Sequence, residues 1–265
     1  MCDLAAATVS AVFVTPVVAA VDKAIPEAAA GKATLLQSFV GTLRSMVSLQ
    51  AVRRPEFLYV WALFAGTYSV NNLVCSAEQH TDTSMPKTKT TSVFLGNMSL
   101  AMWKDAAFAR IFGGAASPQL PLRSYGAWAV RDLTGMSVVF TLPPLLAPKL
   151  AEATDLSRRS AETVCQFVLP MAIQPVVAPF HQLGFLVSFK PDAPLTDHLA
   201  VIRQQLPGVV VMRWIRGFPP YCVGATMNKN LRFELRTLFG LNTDPPEANA
   251  VPHYAANISR KLTPG

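Results

Sequence analysis

The chain is 265 residues long, with 51% hydrophobic and 15% charged residues and a formal net charge of +7; ordinary soluble domains carry about 25% charged residues. The apolar residues gather in long charge-free blocks instead of amphipathic stripes, which excludes an ordinary soluble fold and requires lipid to cover them. Lys and Arg are scattered between the blocks with no basic stripe of interleaved aromatics, so the expected acidic partner is the lipid head group and not nucleic acid.

The blocks run over Ala5 to Val21, Phe57 to Ala77, Thr90 to Trp103, Leu133 to Pro148, Thr163 to Phe189 and Gly217 to Asn228. A helix needs about 20 mainly apolar residues to cross the hydrocarbon core. The second and fifth blocks meet that length as they stand, the others meet it with their flanks, and six transmembrane helices are expected in an all-α membrane protein. The first block opens Met-Cys-Asp without a basic leader, which argues against a secretory signal. Between the first two blocks, Leu36, Phe39, Val40, Leu43 and Val47 share one face of an amphipathic stretch that should lie flat on the membrane. His198 to Leu206 is its expected counterpart later in the chain. The fifth block holds no ionisable side chain except His181 over 27 residues. The segment 242–265 is rich in Pro, Asn and Ala and should form an extended tail.

No phosphate loop, zinc-binding His motif, nucleophile elbow or paired catalytic carboxylates occur, so no enzyme and no metal site is expected. Cys2, Cys75, Cys165 and Cys222 are widely spaced and read as unpaired thiols. Ionisable and amide side chains at membrane depth are candidates for solute binding, and Arg131, Asp132 and Asn71 are the ones this sequence offers. Arg131 and Asp132 read equally as an interfacial pair that snorkels to the head groups.

Thr15-Pro-Val-Val-Ala19 matches Gln174-Pro-Val-Val-Ala178, 159 residues later, and a middle copy falls at Ser99-Leu-Ala-Met-Trp-Lys104. Three helix pairs follow, over about residues 1–80, 81–155 and 156–241 of one membrane domain. With this repeat and with Arg213-Trp-Ile-Arg-Gly-Phe-Pro219, the chain resembles the mitochondrial carrier family, whose chains have three such pairs joined by surface helices. That resemblance implies the mitochondrial inner membrane, and a bound cardiolipin or other phospholipid held by Arg216 and Gly217 at a helix N-terminus, with no other cofactor. It also implies a signature of proline, acid and base on each odd helix. Here the signature is degenerate. Pro16 is followed by Val18, Ser99 by Ala101, and Pro175 by Val177, with Lys104 alone retained among the bases. With its gate charges missing, the chain reads as a carrier-like accessory subunit that no longer transports, partnered by the membrane subunits of a respiratory complex or the ATP synthase. A divergent but active solute transporter is the alternative.

Overall fold

The computed structural model describes residues 1–81, 83, 85–114, 119–154 and 156–241, and the tail 242–265 lies outside them. Among the described residues the fold is all-α. Helices α1 (Cys2–Ala29), α2 (Leu35–Ser45) and α3 (Pro55–Thr81) come first, followed by α4 (Pro86–Phe108), which ends in a π turn, Ala109–Gly113. Then come α5 (Leu122–Thr154), α6 (Arg158–Ala172) and α7 (Gln174–Phe189). Helix α8 (Leu195–Phe218) runs through a second π turn, Pro219–Gly224, into α9 (Ala225–Leu238).

Helix α1 is the axis of the bundle. Its small and β-branched side chains Ala7, Ala11, Val14, Val18, Ala19, Val21 and Ile25 are fully buried, and they let α2, α3, α7, α8 and α9 pack against it. Small residues bring helix backbones close where burial of apolar surface alone gives little drive. Pro16 and Pro26 lie inside α1 without ending it. Helix α5 likewise continues past Pro143, Pro144 and Pro148 to Thr154.

Two helical stretches are long and apolar enough to cross a membrane by length and composition: Cys2–Ala29, and Ser160–Phe189 across the α6–α7 junction. The first is mostly buried within the protein, whereas only 22% of the second's most apolar window is, leaving Val164, Phe167, Val168 and Val176 outward. The expectation that Phe57 to Ala77 spans unaided is corrected. Thr67, Ser69, Asn71 and Asn72 dilute the apolarity of α3. The three-repeat carrier architecture is not reproduced either. Among the described residues the short helix α2, started by a Thr34–Gln37 capping box, and a 3-10 turn, Leu49–Arg53, lie between α1 and α3. The buried side chains of α2 are Ser38 and Thr42, while Leu36 and Val47 point outward. His198 to Leu206 is not a separate surface helix but the first half of α8, which continues through Pro207.

Gly184 fixes the α5–α7 contact. The fully buried Trp128 indole occupies the space where a Cβ at 184 would stand, and the indole N–H donates to His181 O at 3.3 Å. Gly184→Leu is therefore expected to destabilise the fold by about 1–3 kcal/mol through overpacking, read as a lower unfolding midpoint in detergent. Gly41→Leu, at a position with open space around it, should leave the midpoint unchanged.

Candidate functional site

Four long helices and the axis bring a cluster of charges into the interior. Asp22 comes from α1, Lys104 and Asp105 from α4, Arg131 and Asp132 from α5, His181 from α7, and Arg213 and Arg216 from α8. Burying isolated charges costs several kcal/mol each, so they must pair.

The pairing is extensive. Lys104 Nζ donates to Asp22 Oδ2 at 2.6 Å and lies 2.7 Å from Asp105 Oδ1. Arg216 Nε donates to the other oxygen of Asp22 at 2.6 Å. Arg131 Nη1 donates to Asp105 Oδ2. The same guanidinium grips Asp132 as a fork, Nε to Oδ1 at 2.7 Å and Nη2 to Oδ2 at 2.8 Å. Asp22, Lys104, Asp105, Arg131 and His181 are all buried, and bidentate, charge-assisted bonds of this kind are the strongest a side chain makes.

Arg213 stands apart. Its Nε donates to Gln174 Oε1 at 2.6 Å and its Nη1 to His181 Nδ1 at 2.8 Å. Among the described residues no carboxylate lies in ion-pair range of it. An arginine only donates, so His181 Nδ1 accepts and the ring proton sits on Nε2, facing Asp105 Oδ2 at 3.6 Å. Gln174 is itself fixed, its amide donating to Pro170 O at 2.6 Å. Four cations then face three carboxylates, and the one positive charge in excess belongs to a side chain held in place by neutral partners.

These groups enclose a cavity of about 150 Å³, lined by Asp105, Arg131, Asp132, Gln174, His181 and Arg213 together with Asn97, Met98 and Met136. One wall is thus polar and preformed. It presents a guanidinium without a counter-ion and, in Asp132, a carboxylate that is 18% exposed.

The chain matches, over residues 6–236, the family described as "probable citrulline exporter". It belongs to that family. No curated protein and no solved structure matches it. An exporter family places the chain among membrane proteins. The resemblance to the mitochondrial carriers is corrected by this match, and the non-transporting accessory subunit falls with it, since the family is one of transporters. The mitochondrial inner membrane, the respiratory-chain host and the cardiolipin rested on the carrier resemblance alone and have no other support.

The degenerate signature is explained by a register of one residue. Asp22, Asp105 and His181 each stand six residues after Pro16, Ser99 and Pro175, and the three side chains meet in the cluster through Lys104. The three groups stand one residue beyond Val21, Lys104 and Phe180, where the signature places its bases, and four residues beyond Val18, Ala101 and Val177. Arg131 and Asp132 line the cavity. Asn71 is elsewhere, on a groove between α3, α4 and α9. Arg216 is committed to Asp22. Gly217 lies one residue before the end of α8, so its amide is spent inside the helix and the N-terminal donors expected to hold a lipid phosphate are absent there. Asp22, Asp105, Gln174 and Arg213 were not singled out by the sequence, although the repeated six-residue offset marks the first two.

Proposed function

We propose that this protein carries a small, neutral α-amino acid of the citrulline type out across a membrane, with the charged cavity as its binding site. The observation that carries the reading is Arg213, a guanidinium without a carboxylate partner on the wall of a buried polar cavity. The solute's α-carboxylate would complete that pair as a fork. Its ammonium group fits Asp132, whose other side Arg131 already holds, and its ureido group fits the amides of Asn97 and Gln174. A zwitterion adds no net charge, so it enters without upsetting the balance of the buried network. The family's own description supports this class of cargo.

The bundle suits a transporter in its dimensions. The six long helical runs 2–29, 55–81, 86–113, 122–154, 158–189 and 195–238 each reach about 40 Å or more at 1.5 Å per residue, enough for a hydrocarbon core of about 30 Å. We take all six as crossing the bilayer, the polar ones shielded by α1 and by each other. Purified protein in liposomes loaded with radiolabelled citrulline should release it faster than protein-free vesicles, saturably and in competition with unlabelled citrulline. Folded protein that gives only the protein-free rate would end this reading.

A further inference from the structure

The groove between α3, α4 and α9, of about 790 Å³, extends toward the other end of the bundle and meets the charged cavity along α4, where the groove's Val93 stands next to the cavity's Phe94. The two ends are marked on α1 itself. Asp3 is bound by Arg232 at 2.7 Å and by Ser76 at 2.5 Å beside the groove, and Asp22 belongs to the charged cavity. Nineteen residues of helix between them correspond to about 28 Å. Along that length Val14, Val18, Leu63 and Phe64 belong to the buried core.

We propose that this groove is a second solute site on the same path, taking the same class of ligand, a small zwitterion with an amide or ureido group. The inference rests on the transport reading given above. Its chemistry is local. Asn72 and Asn228 are buried on the groove floor and exchange hydrogen bonds at 2.9 Å in both directions. Asn72 Nδ2 also donates to Asp3 O at 3.0 Å, which fixes the plane of the pair. Each amide nitrogen carries two donors, so Asn228 retains one N–H for a ligand carbonyl, with Asn71 beside it. Lys89 is paired with Glu78 at 3.8 Å and its side chain is 35% exposed, so its ammonium can also take a ligand carboxylate.

The groove and the cavity are joined by one rod. Arg213 on α8 and Asn228 on α9 are separated by the π turn Pro219–Gly224, a distortion found often at functional sites. Tyr68, on the groove wall, donates its hydroxyl to Pro220 O at 3.3 Å and fills the space beside Gly224.

Cys75 lies on the groove wall and is partly exposed, which provides a native probe. Wild-type proteoliposomes would be treated with a membrane-impermeant methanethiosulfonate, with and without L-citrulline, and modification of the Cys75 peptide read by mass spectrometry. Cys75 should react from one side of the membrane only. At ten times its half-protecting concentration, citrulline should slow the reaction about tenfold by occupancy. Protection should persist in Arg213→Gln and vanish in Asn228→Leu. A Cys75 that is unreactive from both sides, or modified at the same rate with citrulline, overturns the second site. So does protection that disappears in Arg213→Gln and survives in Asn228→Leu, because it would then be transmitted from the charged cavity. If Cys75 is protected as expected but vesicles release no citrulline, the groove stands as a binding site and the transport reading fails.

Discussion

Asp22→Asn is expected to cost about 3–5 kcal/mol of stability, the penalty for breaking a buried charge pair from one side. The carboxylate is fully buried and accepts from Lys104 and Arg216, each at 2.6 Å. Without it Lys104 keeps Asp105, but that carboxylate already serves Arg131, and Arg216 keeps no acidic partner among the described residues. The unfolding midpoint in detergent should drop steeply. Lys104→Met should cost less, because Asp22 retains Arg216 and Asp105 retains Arg131. The double variant Asp22→Asn with Lys104→Met should cost less than the two single changes added together, with a coupling of about 1–3 kcal/mol for residues in direct contact. Additive costs would mean that the two side chains do not share a buried pair, and the cluster as described would be wrong.

The same network explains which parts of this protein could be read from its sequence. Apolar blocks gave the helix positions well, since α1, α3, α4, α5, α6–α7 and α8–α9 each contain one of the six charge-free stretches. Helix ends and breaks were less legible. Proline is a strong signal in isolation, yet Pro16, Pro26, Pro170, Pro179 and Pro207 all sit inside helices. The segment from Arg213 to Pro219 is expected to open a helix, but it lies inside the run from Leu195 to Leu238, where α8 meets the π turn.

The site was half visible for a geometric reason. One residue along a helix turns a side chain by about 100°, so a motif compared at the wrong offset reports a lost charge where a charge is present one position on. Asp22 and Asp105 each stand one residue beyond the place of the signature's base, at Val21 and Lys104. Arg131 and Asp132 were noticed because adjacent opposite charges stand out in an apolar context. Arg213 was not, because its distinction is a missing partner, and that is a property of five helices meeting. The spacing of Arg213 and Arg216, three residues apart, puts both on one face of α8. One turns to Asp22, and the other is left for the cavity.

That asymmetry leads to the most discriminating result expected of this protein. Arg213→Gln should leave the fold intact, since the side chain is partly exposed to the cavity and the neutral Gln174 and His181 are its only direct partners among the described residues. Citrulline export should nevertheless fall roughly 10- to 150-fold, the worth of a charge-assisted hydrogen bond of about 1.5–3 kcal/mol. Arg213→Lys should recover only part of it, because an ammonium is a point charge and cannot form the planar fork that a carboxylate accepts. The decisive comparison uses two solutes, citrulline and its α-carboxamide, in the liposome efflux assay. Wild-type protein should favour the carboxylate by the same factor that Arg213→Gln loses, and the variant should transport both at similar low rates, with the preference gone. If the variant slows both solutes equally and keeps the preference, Arg213 braces the α7–α8 contact and the carboxylate binds elsewhere. A preference that collapses while Gly184→Leu, which disturbs packing alone, leaves it unchanged would assign carboxylate recognition to this one guanidinium.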